Sequence, residues 1–260
     1  MIDVRGLGLH WREDGDPAGA PVVFANSLGT DLRLWDAVLP HLPPGLRLVR
    51  CDMRGHGLSD CPPAPYAMDD LVGDAEGLIE ALGLRRVVFV GLSIGGMVAQ
   101  GLAGRRPDLL AGLVLSNTAA RIGTAEVWDE RIDAVRTGGI ETLADGVLER
   151  WFGPGFRATP EAAAWRHMLT RQPPEGYAGC ATAIARADLT ATTRGLSLPT
   201  LAIAGSVDGS TPPGLVRATA NLIPRARVHV IEGAGHLPCV DRPTEYAALL
   251  TAFLREVGHV

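Results

Sequence analysis

Val87-Val88-Phe89-Val90-Gly91-Leu92-Ser93-Ile94-Gly95-Gly96-Met97-Val98-Ala99-Gln100 joins a β-branched apolar run to a helical one through glycines and a single serine. An uncharged run of this kind reads as a strand buried on both faces, and residues 97–103 carry a helical pattern. The positions two before and two after Ser93 are glycine, so backbones can pass closely around a strained turn that presents the serine hydroxyl at a helix N-terminus. A small-residue turn can also be an anion nest. The strand before it and the helix after it favour a nucleophile.

Working outward, similar runs occur at Val22-Val23-Phe24, Leu46-Arg47-Leu48-Val49, Leu113-Val114-Leu115, Leu201-Ala202-Ile203-Ala204 and Val228-His229-Val230-Ile231, with helical patterns at 68–82 and 244–257. Strands alternating with helices predict a mostly parallel sheet covered on both faces. Residues 121–190 lack any such run and predict helices only, at 124–136, 140–152, 160–170 and 176–187. Gly138-Gly139, Gly153-Pro154-Gly155 and Pro173-Pro174 separate them. The expected organisation is a core of 1–120 and 191–260 with a helical cap, 121–190, above the carboxyl ends of the strands, where open sheets bind ligands.

Composition narrows the chemistry. A chain of 260 residues, 47% hydrophobic and 20% charged, suits one globular unit. No uncharged apolar stretch reaches the roughly 18 residues of a membrane span, and Met1-Ile2-Asp3-Val4-Arg5 lacks a basic leader, so a cytoplasmic protein is expected. All 24 basic residues are arginine, which excludes Schiff-base chemistry and a phosphate-binding Gly-Lys motif. A net charge of −5 without a basic block gives no footprint for nucleic acid. Cys51, Cys61, Cys180 and Cys239 form no C-x-x-C pair, and the seven histidines form no H-x-x-x-H or H-x-H group, so neither metal nor cofactor is expected.

A serine hydroxyl needs an imidazole base oriented by a carboxylate. Asp208 follows the run at 201–204, and His236, in Glu232-Gly233-Ala234-Gly235-His236, follows the run at 228–231, so both emerge at the strand edge that carries Ser93. His56, in Asp52-Met53-Arg54-Gly55-His56-Gly57-Leu58-Ser59, is a glycine-flanked rival, and Asp208 could instead be an Asx-type turn residue. Two backbone donors for a developing oxyanion are expected from the Ile94 N–H, just after the serine, and from Leu28 in Ala25-Asn26-Ser27-Leu28-Gly29.

With these residues in view, the chain resembles the α/β-hydrolase superfamily over essentially its whole length, and within it the 3-oxoadipate enol-lactonases. The resemblance rests on Asn26-Ser27-Leu28-Gly29-Thr30-Asp31 with Trp35-Asp36, on the segments 52–59 and 91–100, on Asn117-Thr118-Ala119-Ala120-Arg121-Ile122-Gly123, and on Leu148-Glu149-Arg150-Trp151-Phe152. It implies an α/β-hydrolase fold with a helical cap, and the order serine, acid, histidine along the chain, which assigns Ser93, Asp208 and His236 and leaves His56 to stabilise a turn. Asn26-Ser27 stands where many relatives carry His-Gly, which leaves open a side-chain contribution from either residue. The implied substrate is a five-membered enol-lactone with an acetate arm, opened by water without a cofactor. Arg121 and Arg33, both near strand tips, are candidate partners for its carboxylate, and Trp151 a candidate pocket wall or a core residue. A carboxylesterase, a perhydrolase and a carbon–carbon bond hydrolase share the pattern. A receptor that keeps the fold for binding is the non-enzymatic rival.

Overall fold

The computed structural model describes residues 1–260. A short hairpin of β1 (Ile2–Val4) and β2 (Leu7–Leu9) precedes β3 (Trp11–Gly15), β4 (Ala20–Ala25), β5 (Leu46–Cys51), β6 (Val87–Leu92), β7 (Leu110–Ser116), β8 (Thr200–Gly205) and β9 (Arg227–Ile231). The last seven form one sheet in the order β3-β5-β4-β6-β7-β8-β9, parallel throughout except for β3, which runs antiparallel to β5. The mostly parallel sheet expected from the alternating pattern is thus present. Central β6 is buried at every residue, whereas β9, at the edge, alternates between exposed and half-buried positions until buried Ile231.

The helices are α1 (Met68–Ala81), α2 (Ile94–Arg105), α3 (Ala125–Gly138), α4 (Ala144–Trp151), α5 (Pro154–Arg157), α6 (Glu161–Thr170), α7 (Pro174–Arg186), α8 (Thr190–Arg194), α9 (Pro213–Ala220), α10 (Pro238–Asp241) and α11 (Pro243–Glu256). α2 packs on β4, β6 and β7 and α9 on β8 and β9. Gly112 in β7 leaves space for the Phe253 ring of α11, which a Cβ would approach to 2.9 Å. Between β7 and β8 the chain is helical only, from α3 to α8, and the apolar core runs without a break from Phe89 in the sheet to Trp128, Val147 and Tyr177 in these helices. No helix is long and apolar enough to cross a membrane.

Two details depart from expectation. Pro154 and Pro174 open α5 and α7 instead of separating helices, since the first helical position has no N–H bond to lose. The stretch 140–152 divides into a 3₁₀ turn, Ile140–Leu143, and α4.

Candidate active site

The turn after β6 holds Ser93 at φ 58°, ψ −117°, a conformation unfavourable for a residue with a side chain. Its backbone is pinned on both sides: Ser93 N–H donates to Ser116 O (2.9 Å), and Thr118 Oγ1 donates to Ser93 O (2.6 Å). The flanking glycines are required by close approach. A Cβ on Gly91 would lie 2.2 Å from Gly95 O, and one on Gly95 would lie 2.4 Å from Ala25 O, at the end of β4. The turn is therefore pressed against the loop 25–29 that follows β4.

Asp208 and His236 stand past the tips of β8 and β9 and meet: His236 Nδ1 lies 2.8 Å from Asp208 Oδ2. Both side chains are buried, and the carboxylate is saturated. Oδ2 also accepts from Asn117 Nδ2 (2.8 Å) and Thr211 Oγ1 (2.7 Å), while Oδ1 accepts from the backbone N–H groups of Ser210 (2.7 Å) and Thr211 (3.1 Å). Burial pushes the Asp208 carboxyl up, but the charge of His236 together with these donors outweighs it and holds the group well below the usual carboxylate range. Oδ1 thus does serve an Asx-type turn, as the alternative reading of this residue held, while Oδ2 faces the imidazole.

The His236 loop is stitched to the end of α4. His236 N–H donates to Arg150 O (3.2 Å) and Leu237 N–H to Trp151 O (3.1 Å). Asp241 Oδ2 accepts from Gly235 N–H (2.7 Å) and Gly153 N–H (3.3 Å), bridging the two segments. A Cβ on Gly235 would come within 2.4 Å of Trp151 O, which accounts for the glycine directly before the histidine.

Ser93 and His236 line one cavity of about 460 Å³. Ser27 and Leu28 contribute to its floor, and α3 and α4 form its roof through Trp128, Arg131, Val147, Arg150 and Trp151. Trp151 is buried there, so it is both wall and core. The Leu28 N–H has no acceptor within the protein, and Ile94 is the first residue of α2, whose N–H has no intrahelical partner. Asn26 is engaged elsewhere: its Oδ1 accepts from Trp35 Nε1 (2.9 Å) and its Nδ2 donates to Cys51 O (2.8 Å).

The arginines nominated from sequence lie away from this cavity. Arg33 forks onto Asp31 (2.6 and 2.9 Å) and lines a separate surface cleft with Arg12 and Arg171. Arg121 is 59% exposed and faces Asp188 at 4.0 Å. The correction has a simple cause, since nearness to a strand tip along the chain does not decide which way a loop side chain turns. The cavity instead contains Arg131 and Arg150, neither in an ion pair; Glu130 is its only acid and is exposed. The Arg131 guanidinium stacks over Trp128 (5.1 Å) and Tyr177 (5.5 Å), and its buried Nε has no partner. Burial, and then repulsion from Arg131, press the Arg150 guanidinium below its ordinary pKa. Asn117 and Thr211 were also missed as site residues. A residue able to adopt φ 47° just past a strand, and a hydroxyl in the turn of an aspartate, were the available signals.

The sequence profile of the alpha/beta hydrolase family matches residues 22–249. The chain is 32% identical to 3-oxoadipate enol-lactonase 2 of Acinetobacter baylyi over 98% of this chain and 96% of that one. Among solved structures, the enol-lactonase from Burkholderia xenovorans superposes with a TM-score of 0.94 at 38% identity, covering 97% of this chain and 98% of that one. A thermophilic esterase from Thermogutta terrifontis gives a TM-score of 0.91 at 34% identity, covering 99% and 97%.

Proposed function

As this chain belongs to the alpha/beta hydrolase family, we propose that it is a serine hydrolase for a small enol-lactone bearing a carboxylate, of the 3-oxoadipate enol-lactone type. The observation that carries the substrate class is the pair Arg131 and Arg150, two guanidiniums without an acid partner facing the cavity of Ser93 and His236. Two half-buried cations repel each other until an anion enters, and a guanidinium offers a carboxylate bidentate hydrogen bonds. The names of the similar enol-lactonases agree with that choice. In this reading residues 121–190 act as a cap that carries substrate recognition.

The layout supports a two-stage acyl transfer. Ser93 Oγ attacks the lactone carbonyl as His236 takes its proton, with Asp208 holding the imidazole and stabilising its cation. The N–H groups of Leu28 and Ile94 receive the developing oxyanion. Collapse breaks the ring C–O bond, and the departing enol oxygen takes the proton from His236. Ketonisation of that enol removes the nucleophile that would reclose the ring. His236 then takes a proton from water, whose oxygen attacks the acyl group, and Ser93 leaves with the proton returned.

The test supplies purified protein with 3-oxoadipate enol-lactone and, separately, with a short p-nitrophenyl ester, following loss of lactone absorbance for wild type and Ser93→Ala. Lactone turnover that exceeds ester turnover and disappears in Ser93→Ala is expected. Slow lactone loss beside brisk ester cleavage would overturn the lactonase reading in favour of a general esterase. Full turnover in Ser93→Ala would overturn the nucleophile.

A further inference from the structure

His56 takes no part in the chemistry above, yet it is fully buried and both its ring nitrogens are engaged. Gly29 N–H donates to Nε2 (3.0 Å), and Nδ1 lies 3.3 Å from Arg54 O. A backbone N–H can only donate and a carbonyl only accept, so the ring must be neutral, with its proton on Nδ1 and a bare acceptor at Nε2. Burial, only partly opposed by the Arg54 carbonyl and nearby aspartates, pushes its pKa down to about 4, which agrees with that assignment. The ring is itself held in place. Arg54 forks onto Asp74 with two bonds of 2.6 Å, and Tyr177 and the Cys180 thiol flank the imidazole.

Gly29 follows Leu28 directly, and this turn has few other anchors. Thr30 closes it internally through Ser27 O, at 2.8 Å from Oγ1 and 3.2 Å from N–H. The Gly29 backbone stands at φ 83°, and Leu169 and Tyr177 close over it so tightly that a Cβ would come within 2.6 Å of Leu169 Cδ1. These contacts press the turn down, and the Nε2 acceptor is the polar group that receives it from below.

We infer that His56 is a positioning residue that fixes the Ser27-Leu28-Gly29 turn, and so aims the Leu28 N–H at the oxyanion formed on Ser93. The inference rests on the site reading above. It differs from a general role in stabilising the 52–59 turn, because it requires an acceptor at Nε2 and acts on the transition state alone.

His56→Met fills the space without a comparable acceptor, and His56→Gln restores a carbonyl oxygen at similar reach. His56→Met should lower kcat about 10- to 100-fold, the scale of a displaced oxyanion donor, with KM within about threefold of wild type. His56→Gln should recover most of the loss. A trifluoromethyl ketone, which forms an oxyanion on the serine, should bind His56→Met more weakly by the same factor as kcat falls, while a dicarboxylate product binds unchanged. An unchanged kcat in His56→Met, equal losses in both variants, or equal weakening of ketone and product overturns the inference. Should His56→Met not fold, nitrogen NMR of the wild-type ring at neutral pH decides. An unprotonated Nε2 supports the proposal and a protonated one overturns it. Turnover that survives Ser93→Ala sinks the site reading separately, whatever the His56 variants do.

Discussion

Replacing one cavity arginine separates recognition of an anion from chemistry. Arg131→Met keeps an apolar side chain beside Trp128 and Tyr177, the rings over which the guanidinium lies at 5.1 and 5.5 Å, and removes only the charge and its donors. A hydrogen bond to a charged group is worth about 1.5–3 kcal/mol, which corresponds to a loss of roughly 10- to 150-fold in kcat/KM. A carboxylate remote from the reacting carbonyl is bound alike in ground and transition states, so the loss should fall on KM. Arg150→Met should behave in the same way. An anion relieves the repulsion between the two guanidiniums only while both are present, so the double variant should lose less than the sum of the singles. The assay is initial rates on the carboxylate-bearing lactone against a neutral short-chain ester, whose KM should move by less than about threefold. Parallel losses on the charged and neutral substrates, or an unmoved KM on the charged one, would refute the reasoning.

Other outcomes follow from single features of the site. Ser93→Gly should abolish turnover while raising Tm by about 2–4 °C, because relief of the φ 58° strain exceeds the added freedom of the unfolded chain by about 1 kcal/mol; a fall in Tm on calorimetry would contradict this. Gly95→Ala should not yield folded protein, since its Cβ would sit 2.4 Å from the Ala25 carbonyl, and native circular dichroism with full activity would count against that contact. Asp241→Leu should cost about 2–4 kcal/mol in urea denaturation by leaving the N–H groups of Gly153 and Gly235 unpaired, whereas Asp241→Asn keeps the acceptor and should cost less than about 1 kcal/mol. The stability gap between wild type and Asp208→Asn should be full above the unfolded carboxyl value of about 4 and shrink as pH falls toward the depressed native value. Urea midpoints at pH 7 and in more acid solution would show a gap that widens on acidification if the direction were wrong.

The central strands were legible because burial on both faces makes a parallel strand a continuous apolar run, as in β6 and β8. Strand β3, Trp-Arg-Glu-Asp-Gly, shows no such run. It is held at the edge by ion pairs across to β5, Glu13 with Arg47 and Asp14 with Arg50, each at 2.6 Å. Ser93, Asp208 and His236 could be nominated because each follows a recognisable strand, and strand tips in a parallel sheet share an edge. Arg131 and Arg150 could not, because an arginine on an insertion helix looks the same in sequence whether its face meets solvent or the sheet. The His56 bond to Gly29 joins residues 27 apart through loop geometry alone, beyond the reach of periodicity or spacing.

The bonds from His236 and Leu237 to the end of α4 also have a mechanical meaning. A segment tied to the loop of the proposed base is a doorpost, since swinging it aside would pull His236 away from Asp208. The part of the cavity roof that is not tied to this loop is α3, where Val127 stands 61% exposed at the rim. Exchange of the His236 and Leu237 amides should be slow and unaffected by ligand, while the amides of α3 carry the response. A graft meant to change what the cavity accepts would then keep residues 150–153 and redraw the cavity-facing side of α3.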